Sequence, residues 1–293
     1  MSTHSGCYGR SHIGKVRTEN EDSFLIEYWP TQSAAIVVVA DGMGSYGGGA
    51  TAAMAVTETF AELVSKPLPH SRNARYELLL GAFYHADAKI KWLQDTSNPE
   101  MGATVAAAIV TEDELMYLYA GDCRVYHFSR DGETFISRDH SVTRALLDAG
   151  KIDQDEAARH PMGSVVTSCL GGPPLTSRIT IDPQYADGLS SDDENSGPFR
   201  KLAHGDIIVL CCDGLWGEIA DNSISGLVQR SRFYGQSAKQ ISSGLINLAL
   251  DGPATDNITG IVIDADALYA EFAAREAEED DRKAAMAAID DED

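Results

Sequence analysis

The sequence predicts an α+β protein in which helices pack outside β-sheets. Strand-like runs rich in Val, Ile, Tyr and Phe recur at 23–29, 34–40, 103–110, 115–120, 123–128, 206–212 and 257–263. Helical patterns lie at 49–65, 74–94, 141–149, 221–231 and 237–250. The order is a helix pair, a run of strands, then helices again, which departs from the βαβα alternation of a parallel sheet.

Taken in order, the first two runs flank a short turn, and the second, "AAIVVVA", leads into "DGMGSYG" and a helix-like stretch, "ATAAMAVTETFAELV". After the central strands, 141–165 reads as a small helical lid. The segment 184–200, "QYADGLSSDDENSGPFR", is polar and turn-rich and reads as a surface loop. Composition shifts to Ala, Glu and Asp after Asp264, so the sequence places the end of the folded domain there, as 1–264, with 265–293 as an acidic tail, helical or disordered. The tail holds eleven Asp/Glu against three Lys/Arg. Its apolar residues Leu268, Tyr269, Phe272, Met286 and Ile289 are too sparse for a core of their own. A frayed, solvated helix is expected, with a docking or autoinhibitory segment as the sharper alternative.

The chain has 293 residues, enough to bury a core without disulfides or structural metals. Five cysteines, two of them adjacent (Cys211 and Cys212) and none in C-x-x-C spacing, fit a reducing compartment. No apolar run approaches the roughly 20 residues of a membrane helix, and no signal-peptide pattern opens the sequence, so a soluble cytoplasmic protein is expected. A formal net charge of −22 argues against nucleic acid as the main partner.

From Gly42 the glycine run has the G-x-G-x-x-G spacing of a dinucleotide loop. Such a loop offers bare backbone N–H groups to a pyrophosphate, whereas here Asp41 would oppose that anion. A strand-end Asp suits a metal better. The same feature recurs: Asp213 follows "IIVLCC", Asp122 ends "YLYAGD", Asp256 precedes "ITGIVI", and Glu21 and Asp22 precede "FLIEYW". Any one of these is an ordinary turn or cap residue. Converging at one edge, they would repel one another unless cations lay between them. All-oxygen ligation selects Mg²⁺ or Mn²⁺. Glycine beside Asp41 lets a backbone carbonyl approach as well. The cluster suggests a two-metal hydrolytic site. Arg17, four residues before Glu21, could bind a phosphoryl group bidentately or simply pair with Glu19 or Glu21.

Together, "RTENEDS" (17–23), "VVVADGMG" (37–44), "MGATVAAAIV" (101–110), "YAGDCRVY" (119–126), "RDHSVTRALLDAGKI" (138–152), "VLCCDGLWG" (209–217) and "TDNITGIVI" (255–263) resemble the metal-dependent serine/threonine protein phosphatases of type 2C, in their bacterial form. The resemblance implies a four-layer αββα sandwich: two mostly antiparallel sheets flanked by helices, with a lid. It implies hydrolysis of phosphoserine and phosphothreonine by direct attack of a metal-bridging hydroxide. Asp41 would bridge both metals, with Asp213 and Asp256 on the first. The Gly42 carbonyl and the Glu21/Asp22 pair would serve the second, some through water. Asp122 would help hold a weaker third ion, and Arg17 would bind the substrate phosphate. Phosphorylated proteins and a cognate Ser/Thr kinase are the implied partners, with no nucleic acid or membrane and a monomeric state.

The sequence departs from the family at two places. Met43 and Tyr46 stand where many relatives have a histidine able to act as general acid, leaving water, or His140 or His160, for that task. The stretch "MGSVVTSCLGG" (162–172) lacks an arginine and an asparagine common in the lid, which bears on substrate preference. The alternative reading is a pseudophosphatase that binds phosphoproteins without turnover. Retention of every metal aspartate argues against it.

Overall fold

The apolar run that precedes Asp41 forms β3 (Ala34–Met43), and Ala34–Ala40 are buried on both faces. A strand without a solvent face needs apolar side chains at every position, which explains its unbroken pattern. In the computed structural model, residues 6–45, 47–94, 100–157, 159–172, 179–185 and 197–290 are described. Two antiparallel sheets stack face to face. One has the order β1 (Cys7–His12), β11 (Ile258–Asp264), β10 (Ile207–Cys211), β6 (Arg124–Phe128), β7 (Thr134–Ile136). The other runs β2 (Asp22–Tyr28), β3, β4 (Gly102–Thr111), β5 (Glu114–Ala120), β9 (Phe199–Lys201), with the two-residue β8 (Leu170–Gly171) on β4.

Three apolar layers follow from strand alternation. Between the sheets lie Val37, Val39, Ala106, Ala108, Ile208, Leu210, Cys212 and Ile261. On the outer face of the second sheet, Ile36, Val38 and Val105 meet α1 (Gly48–Ala61) and α2 (Arg72–Leu93) through Val56, Phe60, Leu79 and Phe83. On the outer face of the first, Val209, Cys211 and Val262 meet α6 (Asp221–Phe233) and α7 (Ala238–Asp251) through Val228, Ile241 and Leu245. The four-layer αββα sandwich is therefore present, with Cys211, the last residue of β10, facing the outer helices and Cys212, just past it, facing the inter-sheet core. Three of the helices begin where side chains supply the missing acceptors: Ser71 accepts from Ala74 N–H, Ser141 from Arg144 N–H, and Ser237 and Gln240 form a capping box. No helix among the described residues is long and apolar enough to cross a membrane.

The structure extends the sequence expectations at several points. β1, β7, β8 and β9 lie outside the expected strands. They are short or polar, and β1, β7 and β9 are sheet edges, where one-sided pairing relaxes the demand for apolar residues. The lid 141–165 comprises α3 (Val142–Asp148), α4 (Gln154–Ala157) and turns. A further short helix, α5 (Asp213–Trp216), follows β10. Of the loop expected at 184–200, residues 186–196 lie outside the described residues, and its end is β9, paired with β5.

The boundary at Asp264 is corrected. α8 (Ala265–Asp290) continues directly from β11, and Leu268 and Phe272 are fully buried between the sheets. Glu271 accepts hydrogen bonds from Gly6 N–H and Tyr28 Oη, Arg275 stacks on Tyr28, and Ser33 Oγ donates to Glu276. The first three turns of α8 thus complete the inter-sheet core rather than fray from it. They pack at the Tyr28 end of β2, six residues or about 20 Å from Asp22.

Candidate metal centre

Antiparallel order brings the predicted carboxylates together. The C-terminal ends of β3, β5 and β10 and the N-terminal ends of β2 and β11 all lie at one edge of the sandwich, and these ends carry Asp41, Asp122, Asp213, Asp22 and Asp256. Asp22 and Asp41 are directly opposite in the β2–β3 register, and Thr104 opposes Asp41 on β4. A cleft of about 270 Å³ opens there. Arg17, Glu21, Asp41, Gly42, Asp122, Asp213 and Asp256 all line it. Asp22 is not on its wall but lies beneath it. Its Oδ2 accepts hydrogen bonds from Thr259 Oγ1 (2.6 Å) and Cys212 Sγ (3.3 Å).

Close backbone packing shapes the cleft. A Cβ on Gly42 would stand 1.9 Å from the Gly49 carbonyl oxygen, and one on Gly214 would stand 1.9 Å from that of Asn257. Glycine after each of the two aspartates therefore lets α1 and the β11 turn close against the site. Glu21 is drawn toward the N-terminus of α1 by a hydrogen bond from Gly49 N–H.

The electrostatics are those of carboxylates with too little counter-charge. Burial pushes the Asp22 carboxyl up to about 7, with Asp213 and Asp256 adding repulsion against donors from Thr259 and Cys212. Burial pushes Asp122 up to about 8, with Asp213 and Asp139 adding to it. Asp41 is raised well above the usual carboxylate range by burial and then by Asp22 and Asp213. Asp213 and Glu21 are raised as well, burial being the largest cause for both. Two buried oxygens, Asp22 Oδ1 and Asp213 Oδ1, have no hydrogen-bond partner. Orphaned carboxylate oxygens in a buried, mutually repelling group are what a divalent cation satisfies. The residues fit a hard cation held by oxygen ligands. One oxygen each of Asp22 and Asp41 and the Cys212 sulfur lie within 4.8 Å of one another. Burial raises the Cys212 thiol far above its ordinary value, so it donates to Asp22 rather than serving as a thiolate.

Arg17 sits on the cleft rim, 45% exposed, with Nη2 2.8 Å from Asp256 Oδ2 and Nη1 3.6 Å from Glu21 Oε2. The expected pairing with Glu21 is present, and the shorter contact is to Asp256. Asp122 is not held by Arg124. That guanidinium pairs with Asp139 and Asp221 and stacks 3.6 Å over Trp216, whose Nε1 donates to the Asp122 carbonyl. His140 and His160 do not line the cleft. His140 Nδ1 accepts from Gly121 N–H and Nε2 lies 3.0 Å from Asp182, while His160 Nδ1 accepts from Met162 N–H. Tyr46 lies outside the described residues.

Met43, which stands in the stretch where many relatives have a histidine, also lines the cleft, and sequence reasoning did not select Thr104, Gly44, Ser164 and Val166, which complete the wall. Nor did it select Cys212, Asn257 and Thr259, which support it from behind. Ser164 and Val166 bring the end of the lid to the cleft. Their positions in sequence carry no chemical signature, whereas Asn257 stood in plain view within "TDN".

The sequence model of the family described as protein phosphatase 2C matches residues 8–238. The chain belongs to the protein phosphatase 2C family. Within it, the chain is 30% identical over 257 residues to the serine/threonine protein phosphatase PstP of Mycobacterium tuberculosis, covering 87% of this chain and 44% of that protein. It is 25% identical over 249 residues to the protein phosphatase PhpP of Streptococcus pneumoniae, covering 84% of this chain and 92% of that one. Among solved structures, PstP superposes with a TM-score of 0.70 at 26% identity, covering 88% of this chain and 97% of that one. A catalytic domain of PstP in complex with two manganese ions does so with a TM-score of 0.68 at 25% identity, covering 88% and 96%. This chain thus spans less than half the length of the mycobacterial protein, and the 2C family match ends before Asp256.

Proposed function

We propose that the chain is a metal-dependent protein phosphatase that hydrolyses phosphoserine and phosphothreonine esters, passing the phosphoryl group directly to water. The observation that carries this reading is the convergence of Asp22, Asp41, Asp122 and Asp213, all with raised carboxyls, on one cleft whose rim holds Arg17. The mycobacterial catalytic domain that holds two manganese ions has the same fold.

Asp41 would be shared by two ions, Asp213 and Asp256 would help hold one, and the Gly42 carbonyl and the Glu21/Asp22 pair would help hold the other. Such a pair of Mg²⁺ or Mn²⁺ ions would offset the carboxylate charge and lower the pKa of a water held between them. Asp22, with Oδ2 committed to Thr259 and Cys212, has only Oδ1 to offer. Asp122, on the same cleft as Asp213, would contribute to a weaker third site. Arg17 receives the phosphate. Its five N–H donors exceed what Asp256 and Glu21 use, so it can hold phosphoryl oxygens while still anchored. It thereby orients phosphorus and offsets its charge. Protonation of the leaving group falls to water, since neither His140 nor His160 lines the cleft. The cysteines need no part as nucleophiles: Cys7, Cys123, Cys211 and Cys212 are buried, and burial raises all four thiols. A bacterial serine/threonine kinase is the source of the substrates, and the monomer is the working unit.

The test is turnover of a phosphoserine or phosphothreonine peptide with Mn²⁺, compared with single-stranded DNA. Release of phosphate from the peptide, abolished by EDTA and restored by Mn²⁺, is the expected result. Full activity in EDTA would overturn the metal reading. Peptide binding without turnover would return the pseudophosphatase reading, and DNA cleavage would make the chain a nuclease.

A further inference from the structure

One buried side chain holds both ends of the loop that carries Arg17. Asn257 is 3% exposed. Its Nδ2 donates to the carbonyls of Ile13 (3.0 Å) and Glu19 (2.9 Å), and its Oδ1 accepts from Glu21 N–H (2.8 Å). The two carbonyls bracket Arg17 in sequence. Glu21, two residues beyond Glu19, pairs with Arg17 and hands its own carbonyl to Gly42 N–H (3.1 Å), beside Asp41. On the other side, Asn257 N–H donates to Asp256 Oδ1 (2.8 Å) while Arg17 holds Asp256 Oδ2. The loop backbone is seated on the same turn: Lys15 N–H donates to the Ala254 carbonyl, and a Cβ added at Gly14, at φ 81°, would stand only 2.1 Å from the Asp256 backbone carbonyl oxygen.

Only a planar amide meets these demands. Two donors face two carbonyls and one acceptor faces an N–H. A carboxylate would put an oxygen against the carbonyls of Ile13 and Glu19.

We propose that Asn257 is a positioning residue that sets the Arg17 guanidinium against Asp256, and so fixes where the substrate phosphate binds relative to the carboxylate cluster. This rests on the assignment of Arg17 to the phosphate. Asn257 has no contact with the substrate in this account and acts through the 13–21 loop.

The experiment is a double-mutant cycle on the full chain with Mn²⁺ and a small aryl phosphate. Asn257→Asp and Asn257→Ser are assayed at a temperature where melting curves show them folded; the serine variant stands in if the aspartate variant does not fold. On the Arg17 background, loss of the amide lowers kcat/KM about 10-fold, mainly through KM, because ground-state phosphate binding is disturbed. On an Arg17→Ala background the same substitution changes kcat/KM by less than about twofold. An equal loss on both backgrounds overturns the proposal, as does a loss that appears only as weaker Mn²⁺ activation with KM unchanged. If Arg17→Ala itself has no effect on kcat/KM, the phosphate role of Arg17 fails and takes that of Asn257 with it. If the unaltered chain has no turnover, the failure belongs to the proposed activity.

Discussion

Two Gly-Asp pairs sit at strand ends in this molecule, and their aspartates are equally hidden. Asp122 follows Gly121 at the end of β5, and Asp206 follows Gly205 before β10; they are 6% and 3% exposed. Both glycines take positive φ, 103° and 85°, to make the turn. Their surroundings differ. Asp206 accepts from Ala203 N–H (3.0 Å) and Arg130 N–H (2.8 Å) and pairs with His127 Nε2 at 2.8 Å. These donors hold its carboxyl below the usual range despite burial. Burial drives the Asp122 carboxyl up to about 8, Asp213 and Asp139 add to the rise, and donors from Thr104 and its own backbone offset only part of it. Two aspartates with the same local sequence and similar exposure therefore titrate in opposite directions. Asp206, supplied with donors, ties the β6–β7 hairpin to β10. Asp122, more deeply set and with fewer donors for its charge, joins the mutually repelling carboxylate group. Depth and donor supply together separate the two carboxylates.

The same substitution at the two kinds of site should give opposite signatures. Asp213→Asn should lower phosphatase turnover by at least about 10²-fold, since it removes a ligand charge that stabilises the transition state. It should leave the melting temperature in EDTA unchanged or raised, because it relieves repulsion. Loss of the fold together with activity would contradict this. Asp206→Asn should do the reverse, costing about 2 kcal/mol of stability by setting an amide against N–H donors, with kcat per folded molecule unchanged. Chemical denaturation and steady-state kinetics on the same sample check both halves. The smallest effect is on pH dependence. Carboxyls raised in the folded state bind protons more tightly than in the unfolded chain. Their contribution is therefore fully present near pH 4 and lost as pH rises through about 7 to 8. In EDTA the melting temperature should fall across that range, and Mn²⁺ should flatten the slope. Equal slopes with and without Mn²⁺ would break the contrast between the two carboxylate environments.

Much of this was legible in the sequence, for a physical reason. β3 and β10 are buried on both faces and announce themselves as apolar runs, so the Asp at each end stands out sharply. Antiparallel order then does the rest, since successive strand ends return to one edge. The edge strands β1, β7 and β9 were not legible because one-sided pairing lets polar residues such as those of "YGRSH" occupy a strand. The start of α8 was misread because Leu268 and Phe272 form no core alone; they fill one built largely by β3, β4 and β5, more than a hundred positions away. Among site residues, aspartates declare themselves by charge. Thr104, Ser164 and Cys212 act only through where the fold puts them. The difference between Asp122 and Asp206 is likewise invisible in "GD", because the donors to Asp206 include His127, 79 positions distant.

Anomalous diffraction at the manganese edge, from crystals of the chain grown with Mn²⁺, should show two strong peaks among Asp41, Gly42, Asp213 and Asp256, a weaker one beside Asp122, and none at Asp206. Absence of any peak at Asp41 and Asp213 at saturating Mn²⁺, or a peak at Asp206 in their place, would contradict the metal reading.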